Sequence, residues 1–129
     1  MKNIYLCGPT NYSDSENSDW REQVTSELII SEFSTIDPTR RDYRTCEEDC
    51  VNEIVQLSKI DIENSDVVLA YCQKLSVANS MEIYYAWVIN VPVVCVVPYG
   101  SRISPWLRYH STKIVRDIND AVEWVKEKI

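Results

Sequence analysis

An α/β domain built on a parallel sheet is the fold class this sequence predicts, and three observations predict it. Short apolar runs at residues 4–7, 67–72 and 91–97 alternate with longer stretches of helical periodicity, the rhythm of strands joined by right-handed helical crossovers with helices on both faces. The run at 91–97 is almost wholly apolar, as a strand covered on both faces must be. The 129 residues, 45% hydrophobic and 26% charged, suit one globular domain spanning 1–129, and no repeat, linker or low-complexity segment divides it.

Each element has its own signal. The first strand, 4–7, stops at the turn-forming Gly8-Pro9-Thr10, and residues 11–17 read as polar loop. Ser18 caps a helix opening Asp19-Trp20-Arg21-Glu22, with Val24, Leu28 and Ile29 on one face. Phe33–Ile36 is a short second strand closed by Asp37-Pro38, and the polar Thr39-Arg40-Arg41-Asp42-Tyr43-Arg44 follows. A second helix runs from Thr45, or just after it, to about Asn64, with Val51, Ile54, Val55, Leu57 and Ile62 as core candidates. The third strand is 67–72, the third helix 79–90 and the fourth strand 91–97. Residues 99–109 are loop with a helical turn at Trp106-Leu107-Arg108, Lys113–Val115 is a fifth strand, and Ile118–Lys128 an amphipathic helix. Five strands of this kind take the doubly wound, flavodoxin- or Rossmann-like order 2-1-3-4-5, whose switch point lies between strands one and three. The loop at Gly8-Pro9-Thr10 should therefore face the segment from Ser76 to Glu82 across one crevice.

Composition excludes several classes. A net charge of −7 argues against a nucleic-acid polymer as partner, although a single Arg or a few backbone amides can still hold one phosphate. The run at 4–7 is too short for a signal peptide and no stretch is long enough to span a membrane. Cys7, Cys72 and Cys95 lie in strand-like runs; Cys46 and Cys50 share a helix face without further Cys or His ligands nearby. All five read as reduced thiols of a cytoplasmic protein, with no metal site. Two glycines in the whole chain leave no Gly-rich phosphate loop. A Ser–His or Cys–His nucleophile would depend on His110, the only histidine.

Chemistry concentrates where the third strand meets the third helix. An apolar strand leads through Ser76, Ala78, Asn79 and Ser80 to Glu82, and parallel sheets hold ligands in such loops. Glu82, placed in the helix's first turn, would be kept ionised by the helix dipole and ready as a nucleophile. Cleaving a glycosidic bond needs a group that captures an oxocarbenium-like carbon, which a carboxylate does; an ordinary helix-terminal acid is the other reading. Ser76, Asn79 and Ser80 suit an anion site at a helix N-terminus or plain capping. Arg40, Arg41 and Arg44 at the second strand's exit read as a solvated basic loop or as a phosphate or carboxylate clamp. Tyr5 fits core packing or substrate contact, and Asp66 a structural role.

Tyr5-Leu6-Cys7-Gly8-Pro9, Asp66-Val67-Val68-Leu69-Ala70, the segment Ser76-x-x-x-x-Met81-Glu82-Ile83-x-x-Ala86 and Pro92-Val93-Val94 together resemble the nucleoside 2-deoxyribosyltransferase superfamily, which includes deoxynucleoside 5′-monophosphate N-glycosidases. The resemblance spans nearly the whole chain, and its Glu-centred segment is the most specific part. It implies an N-glycosidic bond cleaved through Glu82 as nucleophile, with Tyr5 orienting it and no cofactor. Six residues before the glutamate, the transferases tend to carry Asp for the sugar and the monophosphate hydrolases Ser for the 5′-phosphate; this chain has Ser76. Ser104 stands where the hydrolases place a second phosphate-binding Ser from a neighbouring subunit. Two positions depart from the pattern. The loop's usual glycine is Ala78, and the carboxylate that assists the departing base, eight residues before Asp66, is Ser58. Asp61, three residues on, is the candidate substitute.

The expected function is therefore N-glycosidic cleavage or transfer on a nucleoside 5′-monophosphate, or a nucleoside. Gly8, Pro9, Arg41, Ser58, Ser76, Ala78, Asn79, Ser80 and a neighbour's Ser104 would line or complete the site, with Trp20, Tyr43 or Trp106 stacked on the base. Tyr84, Tyr85, Trp87 and Trp106 supply aromatic surface for a homodimer or higher homo-oligomer with shared active sites. The alternative is a relative impaired by Ser58 that binds or sequesters a nucleotide or nucleotide-derived signal. A receiver or carrier domain fits less well, because Gly8-Pro9 stands where a receiver needs acidic residues.

Overall fold

The computed structural model describes residues 1–9 and 15–129, with the side chains of the first helix described from Trp20 onward. Strands Lys2–Cys7 (β1), Phe33–Ile36 (β2), Val67–Tyr71 (β3), Val93–Val96 (β4) and Lys113–Val115 (β5) form one sheet of order β2-β1-β3-β4-β5. Every pairing is parallel. The helices are Ser15–Ile29 (α1), Val51–Glu63 (α2), Val77–Val88 (α3), Pro105–Tyr109 (α4) and Ile118–Lys128 (α5), with a 3₁₀ turn at Pro38–Arg40. No helix among the described residues is long and apolar enough to cross a membrane.

Strand alternation sorts the core into two layers. Ile4, Leu6, Val67, Leu69, Val94 and Val96 face α1 and α5, where they meet Val24, Leu28, Val122 and Val125. Tyr5, Cys7, Val68, Ala70, Val93 and Cys95 face the opposite side, against Ile62, Ile83, Ala86 and Leu107. The parity of β1 thus sends Tyr5 toward α3. Asp66 serves structure: its Oδ2 accepts from the Asn3 amide at 2.7 Å, and its own N–H donates to Asn3 O at 2.8 Å. Together the two bonds fix where β3 begins beside β1.

Several boundaries differ from the sequence reading. The helix α1 already includes residues 15–17, so Ser18 is interior rather than its cap, and Thr10 and residues 11–14 lie outside the described residues. Ile29 is exposed while Val24 and Leu28 are buried. Residues 44–49 form successive turns, not helix, and α2 begins only at Val51. Val51 and Val55 are exposed, Ile54 and Leu57 are half-buried, and Ile62 is fully buried. Cys46 and Cys50 precede α2 and share no helix face. The helix α3 starts at Val77, two residues early, because Ser76 rather than a later residue caps it by accepting from Asn79 N. Residues 105–109 form a full short helix, where the sequence suggests a turn at 106–108.

Gly8 ends β1 under close packing. A Cβ there would lie 2.6 Å from the Trp20 ring and 3.2 Å from Tyr71 Cβ. Trp20 is 4% exposed and meets Tyr71 edge-on at 5.3 Å between ring centroids. It belongs to the core beneath the first loop, and the space for its ring is the reason for glycine. We expect Gly8→Ala to destabilise the fold by about 1–3 kcal/mol through overpacking. In urea denaturation, pairing it with Trp20→Phe should cost less than the sum of the two single substitutions, since the smaller ring relieves the clash.

Candidate active site

A cavity of about 910 Å³ opens at the carboxyl ends of β1 and β3, at the switch point of the sheet. Gly8 and Pro9 line it from one side, and Ser76, Ala78, Asn79 and Glu82 from the other. Tyr5 and Cys7 form part of its floor, and Arg41, Tyr43 and Ser58 close it from the β2–α2 side.

The phenol of Tyr5 donates a hydrogen bond to Glu82 Oε2. Tyr5 comes from the α3-facing side of β1 and is fully buried; Glu82 sits beside Asn79, Ile83 and Ala86, the buried residues of α3. Glu82 stands in the second turn, not the first, so the helix dipole does little for it. Burial instead pushes its carboxyl above the usual range, opposed by the Tyr5 hydrogen bond, the Arg21 charge and the Asn79 amide. Burial and the neighbouring carboxylate raise the Tyr5 phenol far above its usual range, which keeps it protonated as a donor. Ser58, on α2, lies near enough to Tyr5 to offset part of that rise, so α2 does bring this position to the crevice.

The basic residues behave in two ways. Arg21 is 5% exposed and works inward: Nη1 donates to Pro9 O at 2.8 Å, Nη2 to Gly8 O at 3.0 Å, and Nε lies 3.5 Å from Asp37 Oδ1. Its guanidinium also sits 4.5 Å over the Trp20 ring. The sequence reading passed over Arg21 as part of a polar helix start, yet it falls on the stripe of Val24 and Leu28, and a charge on a core face is the signal that marks it. Arg40 and Arg41 both grip Asp61, at 2.8 and 2.6 Å. The two guanidiniums hold the Asp61 carboxyl below its usual range despite burial. With both oxygens occupied by cations and no place in the cavity lining, Asp61 is a structural anchor for the loop after β2. It is not a poised acid.

Other expected residues fall elsewhere. Ser76 Oγ is engaged in the α3 cap and in a 2.9 Å bond to Asn79 Oδ1, and Ser80 Oγ donates to Ser76 O at 3.0 Å outside the lining. Ser104 caps α4, accepting from Trp106 N at 3.2 Å, and Trp106 is exposed; neither lines this chain's cavity. Trp20 packs in the core as described. His110 is enclosed by Tyr84, Trp87, Trp106 and Tyr109 and lies apart from the cavity. Conversely, Lys74, Arg44 and Glu47 do line it. Of the cations in the lining, Arg21 faces Asp37, Arg41 binds Asp61 and Arg44 pairs with Asp42 at 2.6 Å, and Lys74 completes the set. Among the described residues no group of three or more His, Cys, Asp or Glu side chains could hold a metal ion.

Residues 1–99 match the family model described as nucleoside 2-deoxyribosyltransferase like. Solved structures of the same fold include a conserved protein from Enterococcus faecalis V583, with TM-score 0.73 and 15% identity over 100% of this chain and 99% of that one. The 2-deoxyribosyltransferase of Bacillus psychrosaccharolyticus aligns with TM-score 0.73 and 17% identity, over 93% and 90% of the two chains. The CMP N-glycosidase of Clostridium botulinum aligns with TM-score 0.67 and 11% identity, over 96% and 98%. At such identities the likeness is one of fold. No curated protein sequence matches the chain.

The Asp61 anchor has a pH signature. A carboxyl whose folded pKa is depressed contributes stability that is present above its unfolded value and lost as pH falls through the folded one. Asp61→Asn should therefore cost about 1–2 kcal/mol near neutral pH, with the gap to wild type closing below the ordinary aspartate range. Urea midpoints from pH 7 to pH 3 check this; a gap that stays constant across the series would contradict it.

Proposed function

The chain belongs to the nucleoside 2-deoxyribosyltransferase-like family, and on that premise we propose that it cleaves the N-glycosidic bond of a nucleoside 5′-monophosphate. The observation that carries this reading is the Tyr5–Glu82 hydrogen bond on the cavity floor. Glu82 attacks the anomeric carbon as the bond to the base breaks, and the bonding pair leaves with the base, which takes up a proton. The glycosyl ester on Glu82 then passes to water or to a second base. Tyr5 holds one carboxylate oxygen, leaving the other free to attack. Asp61 is unsuited to protonating the base, so the remaining carboxyl of the lining, Glu47, takes that role.

The start of α3 and the lysine beside it on the cavity wall support a phosphorylated substrate over a free nucleoside. Lys74, two residues before the α3 cap, and the first amides of α3 suit the 5′-phosphate; Tyr43 suits the base. An exposed aromatic cluster of Tyr84, Trp87, Trp106 and Tyr109 beside Ser104 supports a homo-oligomer in which a neighbour's Ser104 completes the phosphate site. Light scattering that returned a strict monomer would remove this shared-site element.

One observation favours a second reading, a nucleotide-binding protein without turnover: Ser58 stands by Tyr5 where the family pattern has a carboxylate. The two readings separate on free base released from ribo- and deoxyribonucleosides and their 5′-monophosphates, followed by chromatography. Release from the monophosphates is expected; tight binding with no release from any substrate would select the second reading. Glu82→Ala should lower turnover by about 10³-fold or more while leaving the fold intact, and full activity in that variant would sink the nucleophile assignment.

The pH profile gives an independent handle. Glu82 must be ionised to attack, and its carboxyl lies above the usual range, so activity should fall on the acid side at a pH higher than an ordinary glutamate would give. Tyr5→Phe removes a hydrogen bond that favours the ionised form. Its acid limb should move to still higher pH, with turnover down about 10- to 100-fold. Lys74→Ala should raise KM for the monophosphate several-fold and leave KM for the matching nucleoside unchanged.

A further inference from the structure

The turn-forming segment between the basic loop and α2 carries two thiols in contact. Cys50 Sγ donates to Cys46 Sγ across 2.7 Å, well inside the separation of unbonded sulfur atoms. Side chains four residues apart on a regular helix have Cβ atoms about 5–6 Å apart, too far for a disulfide, which needs roughly 3.5–4.5 Å. Here the backbone is not helical: Cys46 N bonds to Tyr43 O and Asp49 N to Cys46 O, each at 3.0 Å, and α2 begins only after Cys50. These consecutive turns bring the sulfurs together. Of the five cysteines, Cys7, Cys72 and Cys95 are buried in the sheet, while Cys46 and Cys50 are half-exposed.

We propose that Cys46 and Cys50 form a reversible dithiol–disulfide site, oxidised by low-molecular-weight disulfides, at the rim of the cavity. The sulfur of Cys46 accepts the hydrogen bond and is the attacking group; the shared proton holds the Cys50 thiol up at about 11. Cys46, as thiolate, attacks one sulfur of the small disulfide, forming a mixed disulfide and expelling one thiolate. Cys50 then attacks Cys46 Sγ, expelling the second thiolate. Two electrons pass to the small disulfide, and the two thiol protons end on its two released thiols. Glu47 lies inside the ring that this closes, and Tyr43 and Arg44 lie just before it, all three lining the cavity. Closing the ring fixes that wall and so alters nucleotide affinity, a consequence that rests on the function proposed above. Formation of the bond does not.

The test is incubation of the full chain with graded ratios of reduced to oxidised glutathione, then alkylation, proteolysis and mass spectrometry, with nucleotide binding measured on the same samples. The expected result is loss of two of the five thiols as one intramolecular Cys46–Cys50 bond, reversed by dithiothreitol. Cys46→Ser and Cys50→Ser should each abolish it. Binding of the preferred 5′-monophosphate should change at least threefold on oxidation in wild type and not in either variant. Glutathione adducts alone, a bond between chains, or oxidation at other cysteines first would overturn the site. A Cys46–Cys50 bond with unchanged affinity would overturn its coupling to the cavity, and no nucleotide binding in either redox state would count against the proposed function instead.

Discussion

The buried guanidinium of Arg21 is the constraint on which the architecture of the cavity depends. A charge this deep is tolerable only if it is well partnered, and β1 supplies the carbonyls of Gly8 and Pro9 to the two Nη groups as it leaves the sheet, while the buried Nε faces Asp37 without a hydrogen bond. Those carbonyls are thereby turned inward beneath the loop. The Asp37 carboxylate reaches Arg21 from the end of β2 while its Oδ1 also accepts from the Thr39 amide at 2.8 Å. One side chain on α1 thus ties the exits of two adjacent strands together. Trp20 beneath it requires the glycine at position 8.

A second ionic knot does the same work on the other side. Asp61, near the end of α2, holds Arg40 and Arg41 and so fixes the course of the chain after β2. Arg41 serves as both anchor and cavity wall. The result is a cavity whose wall arginines are each matched by a carboxylate, Asp37, Asp61 or Asp42.

Within this frame the pair of Tyr5 and Glu82 is held by packing more than by electrostatics. Tyr5 is fully buried, its ring fixed by β1, and Glu82 is set by the inner face of α3. Desolvation raises the glutamate's pKa while Tyr5, Arg21 and Asn79 pull it back. A carboxylate so held is more basic than one in water. Arg21 therefore contributes to the loop's shape and to the electrostatics of Glu82.

Strand identity and sheet order were legible in the sequence, because apolar runs separated by helical stretches leave few parallel topologies. The location of the crevice followed from that order, and the Glu-centred segment pointed to Glu82. What local pattern could not determine was how polar side chains are shared out. Ser76 and Ser80 satisfy the start of α3, Trp20 goes to the core, and Asp61 is claimed by two arginines from a loop some twenty residues away. Lys74 and Glu47 reach the cavity only because their loops fold over its rim. Hydrophobic periodicity is a local property and survives in the sequence. Hydrogen-bond and ion-pair partners are chosen by proximity between distant segments, and only the tertiary structure decides them.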